Sequence, residues 1–170
     1  MKSIIPVLAL STLAAAASAQ TADAPAGLAY NRVGLFYSDT TRGYGLEASA
    51  LLGNTNLLLE ASTTIGGGKI GNGADSVSLG YVFKNVGYGV DVIASVGSDE
   101  TYGLSARKAL SAGWEVKAGY ERTSGINVWD AELAYNFNRQ VSLAVGYVHA
   151  TNVPANVKSH DTQIAVRYSF

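Results

Sequence analysis

From about residue 28 to the end of the chain, apolar residues alternate with small or polar ones at a period of two, segment after segment. A period of two belongs to the β-strand, whose successive side chains project to opposite faces. No stretch sustains the 3.6-residue apolar recurrence that a helix needs to bury one side. Turn-forming residues divide the alternation into ten segments: 28–38, 43–53, 56–66, 75–84, 87–97, 101–110, 113–123, 127–137, 140–150 and 161–170. About ten residues is the length at which a tilted strand crosses a hydrocarbon layer.

One face of every segment is apolar. It reads Val33, Leu35, Tyr37 in the first, Val90, Val92, Ala94, Val96 in the fifth, and Val141, Leu143, Val145, Tyr147 in the ninth. The other face is small or charged, and carries Glu47, Glu60, Lys84, Asp91, Arg107, Glu115, Lys117, Glu121, Asp130, Glu132 and Arg167. Alternation alone permits a soluble exported barrel with its apolar face inward. Two features favour the inverted arrangement. Aromatic residues gather near segment ends, with Tyr37, Tyr44, Tyr102 and Trp129 toward one rim and Tyr81, Phe83, Tyr88, Trp114, Tyr135, Phe137 and Phe170 toward the other. That distribution is the girdle formed where amphipathic rings meet lipid headgroups. Glycines such as Gly34, Gly45, Gly80, Gly103, Gly119 and Gly146 fall on the polar face, where a narrow lumen leaves little room.

The expected fold is therefore all-β, a closed antiparallel transmembrane barrel of ten strands. Eight strands are the alternative, if segments around 101–123 merge. Closure follows because an open edge in hydrocarbon leaves backbone donors and acceptors unpaired, at several kcal/mol each. An even strand count brings both termini to one side, expected to be periplasmic. The longer connections, Gly67 to Ala74 and Thr151 to His160, then lie on the outside, and are the places where a surface adhesion or recognition role would reside. They carry no aromatic anchor of the kind that dominates binding energy. Lys108 falls on the apolar face and is expected to snorkel to the headgroups at a rim.

The first residues differ in composition. Lys2, the apolar run Ile4 to Leu13 and the small residues Ala17-Ser18-Ala19 form a cleavable export signal over 1–19, followed by a short periplasmic leader over 20–27 and the barrel over 28–170. The absence of Cys excludes disulfides, thiol catalysis and Cys-built metal sites. A formal charge of -1 gives no dense positive face for nucleic acid. No cofactor or metal is expected.

The end of the chain, Gln163-Ile164-Ala165-Val166-Arg167-Tyr168-Ser169-Phe170, resembles the last strand of small bacterial outer-membrane β-barrel proteins, of the OmpA-transmembrane-domain or OmpX type. In that superfamily an aromatic carboxyl-terminal residue, preceded by apolar residues at alternate positions, is read by the barrel assembly machinery. Phe170, Tyr168, Val166 and Ile164 match that pattern. The resemblance implies an outer-membrane location, contact with lipid and lipopolysaccharide, and a monomer.

The polar face supports two readings. Its opposite charges could cross-link into a stiffening plug, since buried charges must find partners, or they could line a narrow, mildly cation-preferring channel. The corresponding roles are structural or the limited passive passage of small solutes. A third reading is enzymatic. His149-Ala150-Thr151-Asn152 faintly resembles the His-x-Ser-Asn segment of outer-membrane lipid A deacylases, which would make His149 a base and Thr151 a nucleophile, with Asp161 nearby in sequence. Thr replaces the family's Ser, and Gln163 stands where its orienting Glu would fall. Omptin-type proteases need taller walls than this chain can build.

Overall fold

The computed structural model describes residues 28–40, 42–65, 75–110, 113–154 and 159–170. The expected export signal and leader over 1–27, residue 41, the connection 66–74, residues 111–112 and 155–158 lie outside them. The described residues form ten strands: β1 (Arg32–Ser38), β2 (Gly43–Leu51), β3 (Leu57–Ile65), β4 (Ser76–Gly87), β5 (Val90–Gly97), β6 (Thr101–Ala109), β7 (Trp114–Thr123), β8 (Ile126–Asn136), β9 (Val141–Thr151) and β10 (His160–Ser169).

Each strand pairs antiparallel with its neighbours in sequence, and β1 pairs with β10 from Arg32 opposite Ser169 to Ser38 opposite Gln163, which closes the barrel. The eight-strand alternative fails at β6 and β7. These are separate strands with an unbroken ladder from Tyr102 opposite Arg122 to Ala109 opposite Glu115. A merged strand could not turn back on itself, whereas Gly113, at a φ of 83°, permits the reversal.

Most boundaries move by one or two residues, and the largest departures are at the first strand and at the β4–β5 turn. The first strand starts at Arg32, and residues 28–31 leave the wall and turn into the barrel. The fourth runs past Lys84 to Gly87, but its register with β5 shifts between Phe83 and Gly87. Asn85 and Tyr88 both hold a φ of 52° there, which extended backbone cannot continue through. The Asp91 carboxylate accepts from Asn85 N at 2.7 Å and so fixes the irregularity.

The apolar faces point outward. Leu35, Leu104, Val145 and Val166 are each about half exposed or more, at 60%, 55%, 48% and 53%. A soluble protein does not cover its whole circumference in this way. Aromatic rings pair near both ends of this surface: Tyr37 with Tyr44 and Tyr120 with Trp129 toward one end, Tyr81 with Phe83 and Trp114 with Tyr135 toward the other. Lys108 lies outward at the end of β6, between Val90 and Val116 and close to the mouth at which the described residues begin and end.

Candidate functional site

The candidate site is the barrel interior, and its residues form three levels. At the middle level Arg167 acts as a cross-brace. Its guanidinium, with five donors in a fixed fork, reaches in both directions from β10. Across β1 it donates from Nε to the Glu47 carboxylate on β2. Across β9 it donates to Glu132 on β8, from Nη1 at 2.5 Å and Nη2 at 2.6 Å. Gly34 stands opposite both Glu47 and Arg167 in the ladder. A Cβ there would lie 2.8 Å from Glu47 Oε1 and 3.0 Å from Arg167 Cγ, so only glycine leaves the space that the brace uses. Beside it, the Phe36 ring fills the room left by Gly45 and packs against the inward alanines Ala134, Ala144 and Ala165.

Toward the mouth that carries the termini the interior is closed by a floor. Residues 28–31 turn inward and place Tyr30 against Leu58, Val82 and Ile93, with Leu28 and Leu51 packed at its edge. The Tyr30 hydroxyl donates to Asp91 Oδ2 at 2.5 Å, and its carbonyl accepts from Ser49 Oγ at 2.7 Å. Arg107, which is 2% exposed, lies over the Tyr30 ring at 4.7 Å from the centroid. The same guanidinium donates to the Ala29 carbonyl at 3.0 Å and twice to Glu115, at 2.6 and 2.8 Å. Asn31 ties the turn to the wall by accepting from Leu51 N at 2.8 Å and, through its carbonyl, from Phe170 N at 3.1 Å. Burial and the hydrogen bond to Asp91 raise the Tyr30 phenol above its ordinary range, so it remains a donor.

Above the brace, toward the other mouth, the lining is small and wetter. Gly103 and Gly119 make room for the Ser95 hydroxyl and the Asp130 carboxylate, and Lys117 meets Asp130 at 3.2 Å with both side chains more than a quarter exposed. Glu121 accepts from Thr123 Oγ1 at 2.9 Å. Among the described residues, an apolar floor closes the interior at one end, and small and charged side chains line it toward the other.

The structure joins only some of the charged residues expected on the polar face. Arg167 meets Glu47 and Glu132, Arg107 meets Glu115, and Lys117 meets Asp130. Asp91 serves Tyr30 and the Asn85 turn instead of a cation. Glu60 sits on β3 opposite Ser49 and Ser78, and Lys84 is exposed beside the irregular end of β4. Beside these small and charged residues the inner face also carries the apolar floor, which the alternation did not announce. Its signal was present instead as apolar residues on the polar parity: Leu58, Val82 and Ile93.

Ile164, Val166 and Tyr168 face outward, 49%, 53% and 45% exposed, and Phe170 follows at the terminus. His149, His160 and Trp129 lie in one row on the outer face, where His149 is opposite both of the others. Thr151, opposite Asn127, shares that face. Asp161 is on the inner face, where it accepts from Thr40 N and Gln163 Nε2, each at 2.9 Å. The wall therefore separates the carboxylate from the imidazole, and the arrangement that a nucleophilic mechanism needs is not assembled. The reason is parity: an odd residue and its even pairing partner's neighbour cannot share a face. Among the described residues no group of three His, Asp or Glu side chains could hold a metal ion.

No protein-family model matches the chain, and neither does any curated protein sequence. Similar solved structures are porins. A KdgM porin in complex with disordered oligogalacturonate is 13% identical, with a TM-score of 0.49, and the alignment covers 82% of this chain and 99% of that one. A second KdgM porin structure is 16% identical at a TM-score of 0.46 with the same coverage, and a NanC porin is 12% identical at 0.45, over 82% of this chain and 98% of its own. The ten strands of this chain set it apart from the eight-stranded OmpA and OmpX type.

Proposed function

We propose that this chain is a small bacterial outer-membrane barrel that allows limited passive passage of small solutes, neutral or cationic rather than anionic. The observation that carries the reading is the inversion of the barrel: an apolar, aromatic-girdled exterior around an interior of glycine, serine and ionised side chains. A lining of that kind has no purpose in a soluble sandwich and is what a water-filled or partly filled lumen requires.

The sign of the preference follows from the lining. On the inner face Glu47, Glu60, Asp91, Glu115, Glu121, Asp130, Glu132 and Asp161 outnumber Arg32, Lys84, Arg107, Lys117 and Arg167. The two most buried guanidiniums, on Arg107 and Arg167, are already committed to carboxylates. An acidic lining of this kind repels polyanions such as the oligogalacturonate held by the KdgM porin. By the same reading both termini are periplasmic, the exterior contacts lipid and lipopolysaccharide, Ile164, Val166, Tyr168 and Phe170 guide assembly by the barrel assembly machinery, and the barrel acts as a monomer without nucleic-acid partners.

A second, structural role is favoured by the Arg167 brace, which ties β2, β10 and β8 together across the lumen. Conductance of the refolded barrel in planar bilayers, under a potassium chloride gradient, separates the two. Discrete steps with a reversal potential on the cation side support passage. Silence from barrels proven folded by heat-modifiable gel mobility leaves the structural role.

A further inference from the structure

We propose that residues Leu28–Asn31 are a gate: a built-in latch that closes the barrel at the mouth carrying the termini and must withdraw before that mouth admits solute. The inference rests on the passage reading for its purpose, but its geometry stands by itself.

A chain that enters a β-barrel at a strand end has no need to turn into the lumen. Here it does, and each of its groups finds a partner on a different strand. The Tyr30 hydroxyl is held by β5 through Asp91, its carbonyl by β2 through Ser49, and its ring by β6 through Arg107. The ring also covers Val82, which is 0% exposed, and Leu58, which is 1% exposed, although both belong to the lumen face of the wall. Lumen side chains become that dry only if something seals them, and Tyr30 is the group in place to do it.

The latch is also built to release. It is four residues long and outside the ten strands, so withdrawing it leaves the strand-to-strand registers in place and breaks its own bonds to Ser49, Leu51 and Phe170 at the wall. Arg107 keeps both of its bonds to Glu115 when Tyr30 leaves, so no uncompensated charge remains. Asp91 regains water and retains its bond to Asn85.

The test uses the absence of Cys from the chain. Val82→Cys places a near-isosteric thiol under Tyr30, and its rate of reaction with a small, charged, membrane-impermeant thiol reagent reads the exposure of the floor. In folded barrels the latch predicts slow labelling, accelerated by roughly tenfold or more when Tyr30→Ala is added, with Tyr30→Phe between the two, because labelling tracks the open population. Heat-modifiable mobility of each variant confirms folding, and Tyr30→Phe, which keeps the ring, covers the case in which Tyr30→Ala does not fold. Equal labelling rates with and without the latch side chain overturn the proposal. Conductance of the same variants is the second readout. Faster labelling with more frequent conductance steps supports both latch and passage. Faster labelling without conductance keeps the latch and removes passage, and conductance with unchanged labelling keeps passage and removes the latch.

Discussion

Replacing Arg167 with Met tests how much of the barrel's stability resides in its central brace. The substitution keeps much of the side-chain length and removes every donor. Arg167 is 5% exposed, whereas Glu132 and Glu47 are 14% and 26% exposed, so the two carboxylates lose their cation in a poorly hydrated space. Removing one partner of a buried ion pair costs about 3–5 kcal/mol. The quarter exposure of Glu47 lets water compensate in part, which places the expected loss near the lower end, at about 3 kcal/mol. Adding Glu47→Gln and Glu132→Gln removes the stranded charges and should recover most of that loss, because neutral replacement of a whole buried cluster is often close to neutral. The assay is urea unfolding and refolding in lipid vesicles, followed by the fluorescence of Trp114 and Trp129. A loss of less than about 1 kcal/mol in the single variant, or a triple variant no more stable than the single one, would refute the reasoning.

Three further perturbations separate strong contacts from weak ones. Lys117→Ala should change stability by less than about 1 kcal/mol, because its pair with Asp130 is partly exposed and screened, and the same urea experiment reads it. Gly45→Ala should destabilise the barrel by about 1–3 kcal/mol, since its Cβ would overlap the Phe36 ring and approach the Thr63 carbonyl; adding Phe36→Leu should relieve part of the cost. Trp129→Ala and Tyr120→Ala, made singly and together, should show a coupling of about 0.5–1.5 kcal/mol for rings 4.6 Å apart, and additive losses would mean that the pair is only a neighbourhood.

The architecture was legible because one regularity repeats through the whole chain. A strand with lipid on one side and a narrow polar lumen on the other must alternate, and ten such segments specify strand number, orientation of faces and closure together. The aromatic girdles followed from the same register. Partnerships inside the lumen were less legible, because they run across strands that are not sequence neighbours. Arg167 reaches Glu47 and Glu132 over an intervening strand on each side, and parity states only that the three share a face. The turn inward at 28–31 was hidden for a different reason. Leu28 and Tyr30 alternate with a period of two and so read as the start of a strand, although they fall on the parity of Arg32 and Gly34 and not on that of Val33 and Leu35. The apolar residues at inward positions, Leu58, Val82 and Ile93, were the available sign that something apolar had to meet them. Proximity in sequence was misleading at His149 and Asp161, where pairing sends the two side chains to opposite faces.

The central claim is that the apolar face meets lipid and the polar face does not. Single cysteines along β9 at Ser142, Leu143, Ala144, Val145, Gly146 and Tyr147, each carrying a fluorophore in folded barrels, test it with lipids brominated on their acyl chains. The account predicts quenching that alternates, strong at 143, 145 and 147 and weak at 142, 144 and 146. Uniform quenching, or an alternation of the opposite phase, would contradict it.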